Sequence, residues 1–190
     1  MATVRVATIW KKASILACCF SVGMLIVLAP ARAHADDPNL HPGVGGHVGV
    51  AIPLVTLSSD DTTTIGDQFT LAFPIGIGFK LTDKAAIDFE TVLNNPISPK
   101  GSTSMVIDPG IVYDMGSFVI GLRVAWKVQS NTNFGVIPLI HKGISSVGGG
   151  GTWFIEAAFP TFISSGTVGT PPEDKTSFEL NVVIHTGIGF

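Results

Sequence analysis

The sequence predicts an all-β protein, an antiparallel up-and-down transmembrane β-barrel of 8 strands whose outer face meets lipid. Three observations predict it. After an N-terminal segment, apolar residues recur with period 2 rather than 3.6. Only 13% of the chain is charged and its mean hydropathy is +0.48, whereas ordinary soluble domains are roughly 25% charged. Beyond the N-terminal segment, no apolar run is long enough for a membrane helix. A hydrophobic chain of this kind is either a soluble all-β domain with a bare surface or a closed barrel in lipid.

The first element, residues 1–35, reads as a cleaved signal peptide. Arg5, Lys11 and Lys12 form a basic start, residues 13–29 are apolar, and Ala33-His34-Ala35 supplies a small-x-small cleavage site before Asp36-Asp37. The competing reading is a membrane anchor, against which Pro30 and the cleavage site argue. Ile15-Leu16-Ala17-Cys18 loosely fits a lipid-attachment box, but the apolar residues after it would leave a greasy terminus. Cleavage leaves residues 36–190 as one barrel domain. Both cysteines, Cys18 and Cys19, depart with the leader, so disulfides, a thiol nucleophile and Cys-based metal sites are excluded from the domain. It keeps seven basic residues against fourteen acidic ones, and a net charge of −7 excludes nucleic acid as a natural partner.

Eight strands follow, starting near residues 43, 68, 85, 103, 117, 134, 151 and 177. The clearest is Gln68–Leu81, with Phe69, Leu71, Phe73, Ile75, Ile77 and Phe79 on one face and Thr70, Ala72, Pro74, Gly76, Gly78 and Lys80 on the other. Ser117–Val128 and Ser177–Phe190 repeat the scheme. Gly43–Thr56, Ala85–Leu93, Thr103–Tyr113, Phe134–Lys142 and Gly151–Ile163 alternate less cleanly. Long connections follow strands one, three, five and seven, and short turns at 82–84 and 114–116 follow two and four. The sixth connection, Gly143–Gly150, breaks this pattern. Pro53, Pro74, Pro109, Pro138 and Pro160 fall in or near strands, where a missing N–H calls for bulges or shorter strands.

Alternation alone does not choose lipid over water. The charges do: Lys80, Asp88, Glu90, Asp108, Arg123, Lys127, Glu156 and Glu179 all lie opposite the apolar stripe, on a face otherwise of small residues. A narrow lumen needs small residues and a few mutually neutralising charges. On the stripe, Phe69, Trp126, Phe134 and Phe178 fall at loop ends, and Phe79, Tyr113, Phe118, Trp153 and Phe190 at turn ends, as two aromatic girdles. Phe190 ends an alternating apolar strand. With the leader, this resembles the small, roughly eight-stranded outer-membrane barrel proteins of Gram-negative bacteria as an architectural class, across residues 43–190. The resemblance implies a bacterial outer-membrane location, both termini in the periplasm, and Phe190 as an assembly signal. It implies outer-membrane lipid, lipopolysaccharide and the barrel-assembly machinery as partners.

Lys80, Asp88, Glu90, Asp108, Arg123, Lys127 and Glu156 therefore read as a lumen charge network, structural or gating. His47, His141 and His185 face inward as well, and barrel closure brings the first strand beside the last, so His47 and His185 can approach each other with Glu156 near. A metal or proton-linked site there is the sharper reading, scattered polar lumen residues the plainer and preferred one. No metal or other cofactor is expected. Serines cluster in loops away from the histidines, and Gly-x-Ser-x-Gly, phosphate-loop and His-Glu-x-x-His patterns do not occur. The sequence thus points to a non-enzymatic barrel with a structural or surface-binding role, its acidic loops (60–61 and 173–174) facing outward. A narrow channel for small solutes and a soluble barrel binding an apolar ligand are the alternatives.

Overall fold

A computed structural model of the chain describes residues 43–59, 61–128, 133–168 and 173–190. The leader, the middle of the connection after Lys127 and the Pro171-Pro172 stretch lie outside the described residues. Ten antiparallel strand segments are described: β1 (Val44–Ser58), β2 (Thr62–Thr64), β3 (Phe69–Lys80), β4 (Ala85–Ser98), β5 (Ser104–Asp114), β6 (Val119–Lys127), β7 (Asn133–Gly148), β8 (Gly151–Ala158), β9 (Thr161–Val168) and β10 (Glu173–Gly189). They build eight staves. β2 is a short flap on β1, and β8 and β9 are one stave interrupted at Phe159-Pro160, since both pair with β7 and β10. β1 pairs with β3 on one side and with β10 on the other, from His47 opposite Gly189 to Ser58 opposite Glu179. The sheet is therefore closed, and every stave is flanked on both sides.

Period 2 sorts the side chains across this wall. On β3, Phe73, Ile75, Ile77 and Phe79 are exposed on the outside, whereas Thr70, Ala72 and Pro74 are buried within. The outer stripe continues through Ile87, Phe89 and Leu93 of β4, Ile111 and Tyr113 of β5, and Ile120, Leu122 and Trp126 of β6, all exposed. Of the expected girdle aromatics, Trp126, Phe134, Phe178, Phe79, Tyr113, Trp153 and Phe190 are exposed, and the Trp126 and Phe134 rings meet edge-on at 6.0 Å. The usual distribution is inverted: large apolar side chains cover the outside and ionisable groups sit inside.

The prolines explain where the ladder is interrupted. Beside Pro53 the β1–β10 register shifts by one residue, a bulge. At Pro74 and Pro109 the strands keep register, but paired residues are skipped on the side facing β1 and β6 respectively. Pro160 lies in the break between β8 and β9, and Pro138 faces it from β7. Backbone bonds still span the gap: the Phe159 N–H donates to the Pro138 carbonyl at 2.9 Å and the Asn181 N–H to the Pro160 carbonyl at 2.8 Å.

Gly143–Gly150 corrects the sequence reading. It is not a long loop: β7 runs on to Gly148 through two register shifts, and a tight turn leads into β8 at Gly151. Gly148, Gly149 and Gly150 all have positive φ, which glycine alone adopts without strain. Its counterparts at the same end are also tight. Thr82 Oγ1 accepts the Ala85 N–H at 2.9 Å, and Asp114 Oδ1 accepts that of Gly116 at 2.6 Å. All described connections at this end are thus short. At the other end the expected long connections are largely strand, since β4 runs to Ser98, β9 runs to Val168 and β10 starts at Glu173. The long described one is 59–68, which carries β2.

Candidate functional site

The ladder registers assemble the lumen cluster. Glu90 stands directly opposite Asp108, and Asp88 opposite Gly110, which in turn faces Arg123. His141 and His185 flank Glu156 from either side, since both are its cross-strand partners. Residues far apart in sequence therefore converge at one level of the barrel. Arg123 is the hub. Its Nε donates to Asp88 Oδ2 at 2.7 Å and its Nη1 to Glu90 Oε1 at 2.9 Å, and Nη1 lies 3.5 Å from Glu156 Oε1. His47 Nε2 is 2.6 Å from Glu90 Oε2. Glu156 takes His185 Nδ1 on one oxygen at 3.5 Å and His141 Nδ1 on the other at 3.4 Å. The planar fork of arginine suits this role, because it serves several carboxylates in fixed directions where a lysine would offer a point charge.

Glycines make the room. A Cβ at Gly76, opposite His47, would fall on the imidazole ring. One at Gly110 would lie 2.6 Å from Cα and Cγ of Arg123, and one at Gly49 would lie 2.6 Å from His185 Nε2. The small residues of the lumen face are thus the spaces into which the long polar ones fold.

Two aromatic residues complete the interior. Phe154 is 1% exposed and packs against all three imidazoles, with ring centroids 4.5 Å from His141, 4.9 Å from His185 and 5.9 Å from His47. It fills the lumen on the turn side. On the loop side, Phe162 joins Val106, Ala125, Ile137, Leu139 and Ala158 in a buried apolar cluster. The inner face is therefore half apolar rather than uniformly small and polar. Both aromatics share the parity of Glu156, interrupted only by the Phe159-Pro160 break, so alternation was the signal that could have placed them.

Not every expected member joins the cluster. Lys80 has inward parity but is exposed, because it is the last residue of β3 and lies at the turn-side rim. Lys127 forms its own pair with Glu179, 2.8 Å apart near the loop-side mouth, and its ammonium lies 4.5 Å from the Phe162 ring centre. Lys142, not among the expected members, is buried beside the Gly143/Ser145 register shift.

The expected mutual neutralisation is also incomplete. Asp88, Glu90, Asp108 and Glu156 are four buried carboxyls, and Arg123 is the permanent cation among them. Asp108 is 0% exposed, and neither of its oxygens has a hydrogen-bond partner. Above it, toward the loops, lies a cavity of about 310 Å³. Its floor includes Glu90, Asp108, Arg123, Glu156 and His185, and its mouth includes Gln68, Asn94, Lys127 and Glu179. Among the described residues no group of three or more His, Cys, Asp or Glu side chains has a geometry that could hold a metal ion.

Fold and site together define a class: a closed eight-stranded antiparallel β-barrel with a buried ion-pair network beneath a blind cavity. No family model, curated protein or solved structure matches the chain.

Proposed function

We propose that this chain is a non-enzymatic outer-membrane β-barrel protein with a surface-binding role. It is delivered by a cleaved leader and embedded in lipid and lipopolysaccharide by the barrel-assembly machinery. The single observation that carries this reading is the inversion of the wall. Leu122, Ile111 and Ile75 are each more than half exposed on the outside, while Asp88, Glu90, Asp108, Arg123 and Glu156 are buried inside. In water such a surface would far exceed the apolar patch of a typical monomer. In a bilayer it is the required surface, and the closed ladder leaves no strand edge for lipid to face.

The lumen favours binding over conduction. Phe154 and its three histidines fill it on the turn side, and the Arg123 cluster spans the level above. The cavity therefore runs inward from the loop side and ends within the barrel. Loops and recesses on a rigid scaffold are where recognition concentrates.

The test is membrane fractionation of the expressed, processed protein, with boiled and unboiled samples compared on a gel. Residence in the outer-membrane fraction with a heat-dependent shift in migration is expected, together with no conductance steps in planar bilayers. Recovery as a detergent-free soluble protein would overturn the membrane reading, and steady conductance would overturn the closed lumen.

A further inference from the structure

Among the described residues, Asp108 is the buried lumen carboxyl left without a hydrogen-bond partner. Asp88 and Glu90 receive Arg123, Glu90 also receives His47, and Glu156 receives Arg123, His141 and His185. Asp108 lies opposite Glu90 on the neighbouring strand, is wholly buried, lines the cavity floor, and has both oxygens unpartnered. A buried carboxyl without a donor is costly, and more so when ionised. The nearby permanent charge does not offset it, since the single guanidinium is already shared by three other acids.

We propose that the cavity is a binding site for a small organic cation, an ammonium carried on a short apolar stem, with Asp108 as its anchor. This rests on the surface-binding role proposed above and names the ligand class for it. Three features of the cavity select this class. Its floor sets the carboxyls of Glu90, Asp108 and Glu156 around the one guanidinium of Arg123. Its wall above them is apolar, through Val92, Val106, Ile137 and Phe162, and suits a hydrocarbon stem. Its volume of about 310 Å³ lies at the small end of ligand pockets, which run from roughly 300 Å³ upward. At the mouth, the Phe162 ring already has the Lys127 ammonium 4.5 Å from its centre, so an aromatic face suited to cations borders the path inward. An anion would meet the carboxyls of Asp108, Glu90 and Glu156 at the floor. A neutral apolar molecule would leave Asp108 unpaired.

The experiment is titration calorimetry on the detergent-folded full barrel at fixed ionic strength. The probes are n-butylammonium, n-butanol and butyrate, matched in size and differing in charge. Saturable binding of n-butylammonium alone is expected. In Asp108→Asn, folding is checked by the heat-dependent gel shift, and affinity should fall about tenfold or more, as loss of a charge-assisted contact requires. Equal binding of butylammonium and butanol, no binding of any probe, or unchanged affinity in Asp108→Asn would overturn the assignment. The ligand series on the unaltered protein decides the matter even where the variant does not fold. A heat-modifiable, membrane-resident barrel that ignores cations refutes this site and leaves the membrane reading standing. A soluble protein that binds them does the reverse.

Discussion

Replacing Arg123 by leucine tests the energetic core of the barrel. The side chain is almost fully buried and touches Asp88, Glu90 and Glu156. Removing it strands three carboxylates that lie within the same enclosed level, beside the unpartnered Asp108. Breaking a buried ion pair by deleting one partner costs about 3–5 kcal/mol, because the remaining charge stays desolvated without compensation. With two short contacts and a third at 3.5 Å, the upper part of that range applies. At about 1.4 kcal/mol per decade, the unfolding equilibrium constant should rise by roughly a thousandfold to a few thousandfold. The assay is urea unfolding in lipid vesicles, followed by tryptophan fluorescence, because Trp126 and Trp153 both lie exposed on the outer face. A combined variant, Arg123→Leu with Asp88→Asn, Glu90→Gln and Glu156→Gln, should regain most of the loss, since a buried charge cluster replaced as a whole is often neutral in stability. A loss below about 1 kcal/mol for Arg123→Leu alone would place the cluster in the class of solvated surface pairs and refute the reasoning.

Three other outcomes are expected. Leu122→Arg, at a 56% exposed outer position paired with Ile111 and Pro138, should cost about 2–4 kcal/mol in vesicles if it lies near the midplane; an unchanged urea midpoint would argue that this face meets water. Phe154→Ala should lose about 3–5 kcal/mol and open the turn-side floor, giving conductance steps in planar bilayers that the parent lacks; a variant as stable and as silent as the parent would deny the plug. The carboxylate of Asp67, in the β2–β3 connection, accepts from the Thr64 N–H at 2.9 Å and its hydroxyl at 2.7 Å, and these bonds hold its pKa below the ordinary value. A depressed pKa gives local stabilisation that is complete above the unfolded-chain value and lost as pH falls through the folded one. Thr64 amide exchange, corrected for intrinsic rates, should show protection lost with acidification in the parent and not in Asp67→Asn.

Much of the wall was legible because alternation is a backbone property. Once Phe73 and Ile75 are assigned outward, Thr70, Ala72 and Pro74 must point inward, and the closure of eight staves follows from strand count and connection length. The convergence of His47, His185 and Glu156 was legible for the same reason, through closure of the first strand on the last. The extension of β7 through Gly143–Gly148 was not, because bulges break the period that the reading depends on, and the glycines that permit them resemble loop punctuation. Membership of the cluster was only partly legible. Parity assigns Lys80, Lys127 and Arg123 to one face, but height along the axis decides who meets whom, and that depends on the stagger between staves. The solitary state of Asp108 has no sequence signature at all, since it arises from neighbours that are already engaged elsewhere.

The seam between β1 and β10 has a kinetic consequence. It joins His47 to Gly189 and Thr56 to Asn181, the most sequence-distant pairings in the barrel, whereas β3, β4, β5 and β6 pair with chain neighbours. Local hairpins can zip within microseconds, but joining such remote segments requires the full loop-closure entropy first. The seam should therefore form last, and until it does β1 and β10 each offer an unpaired edge to other chains. A barrel of this kind is most vulnerable to aggregation when it is nearly complete, so escort is needed longest for the final strand, and mutations along the seam should slow maturation more than equally costly ones in β4 or β5.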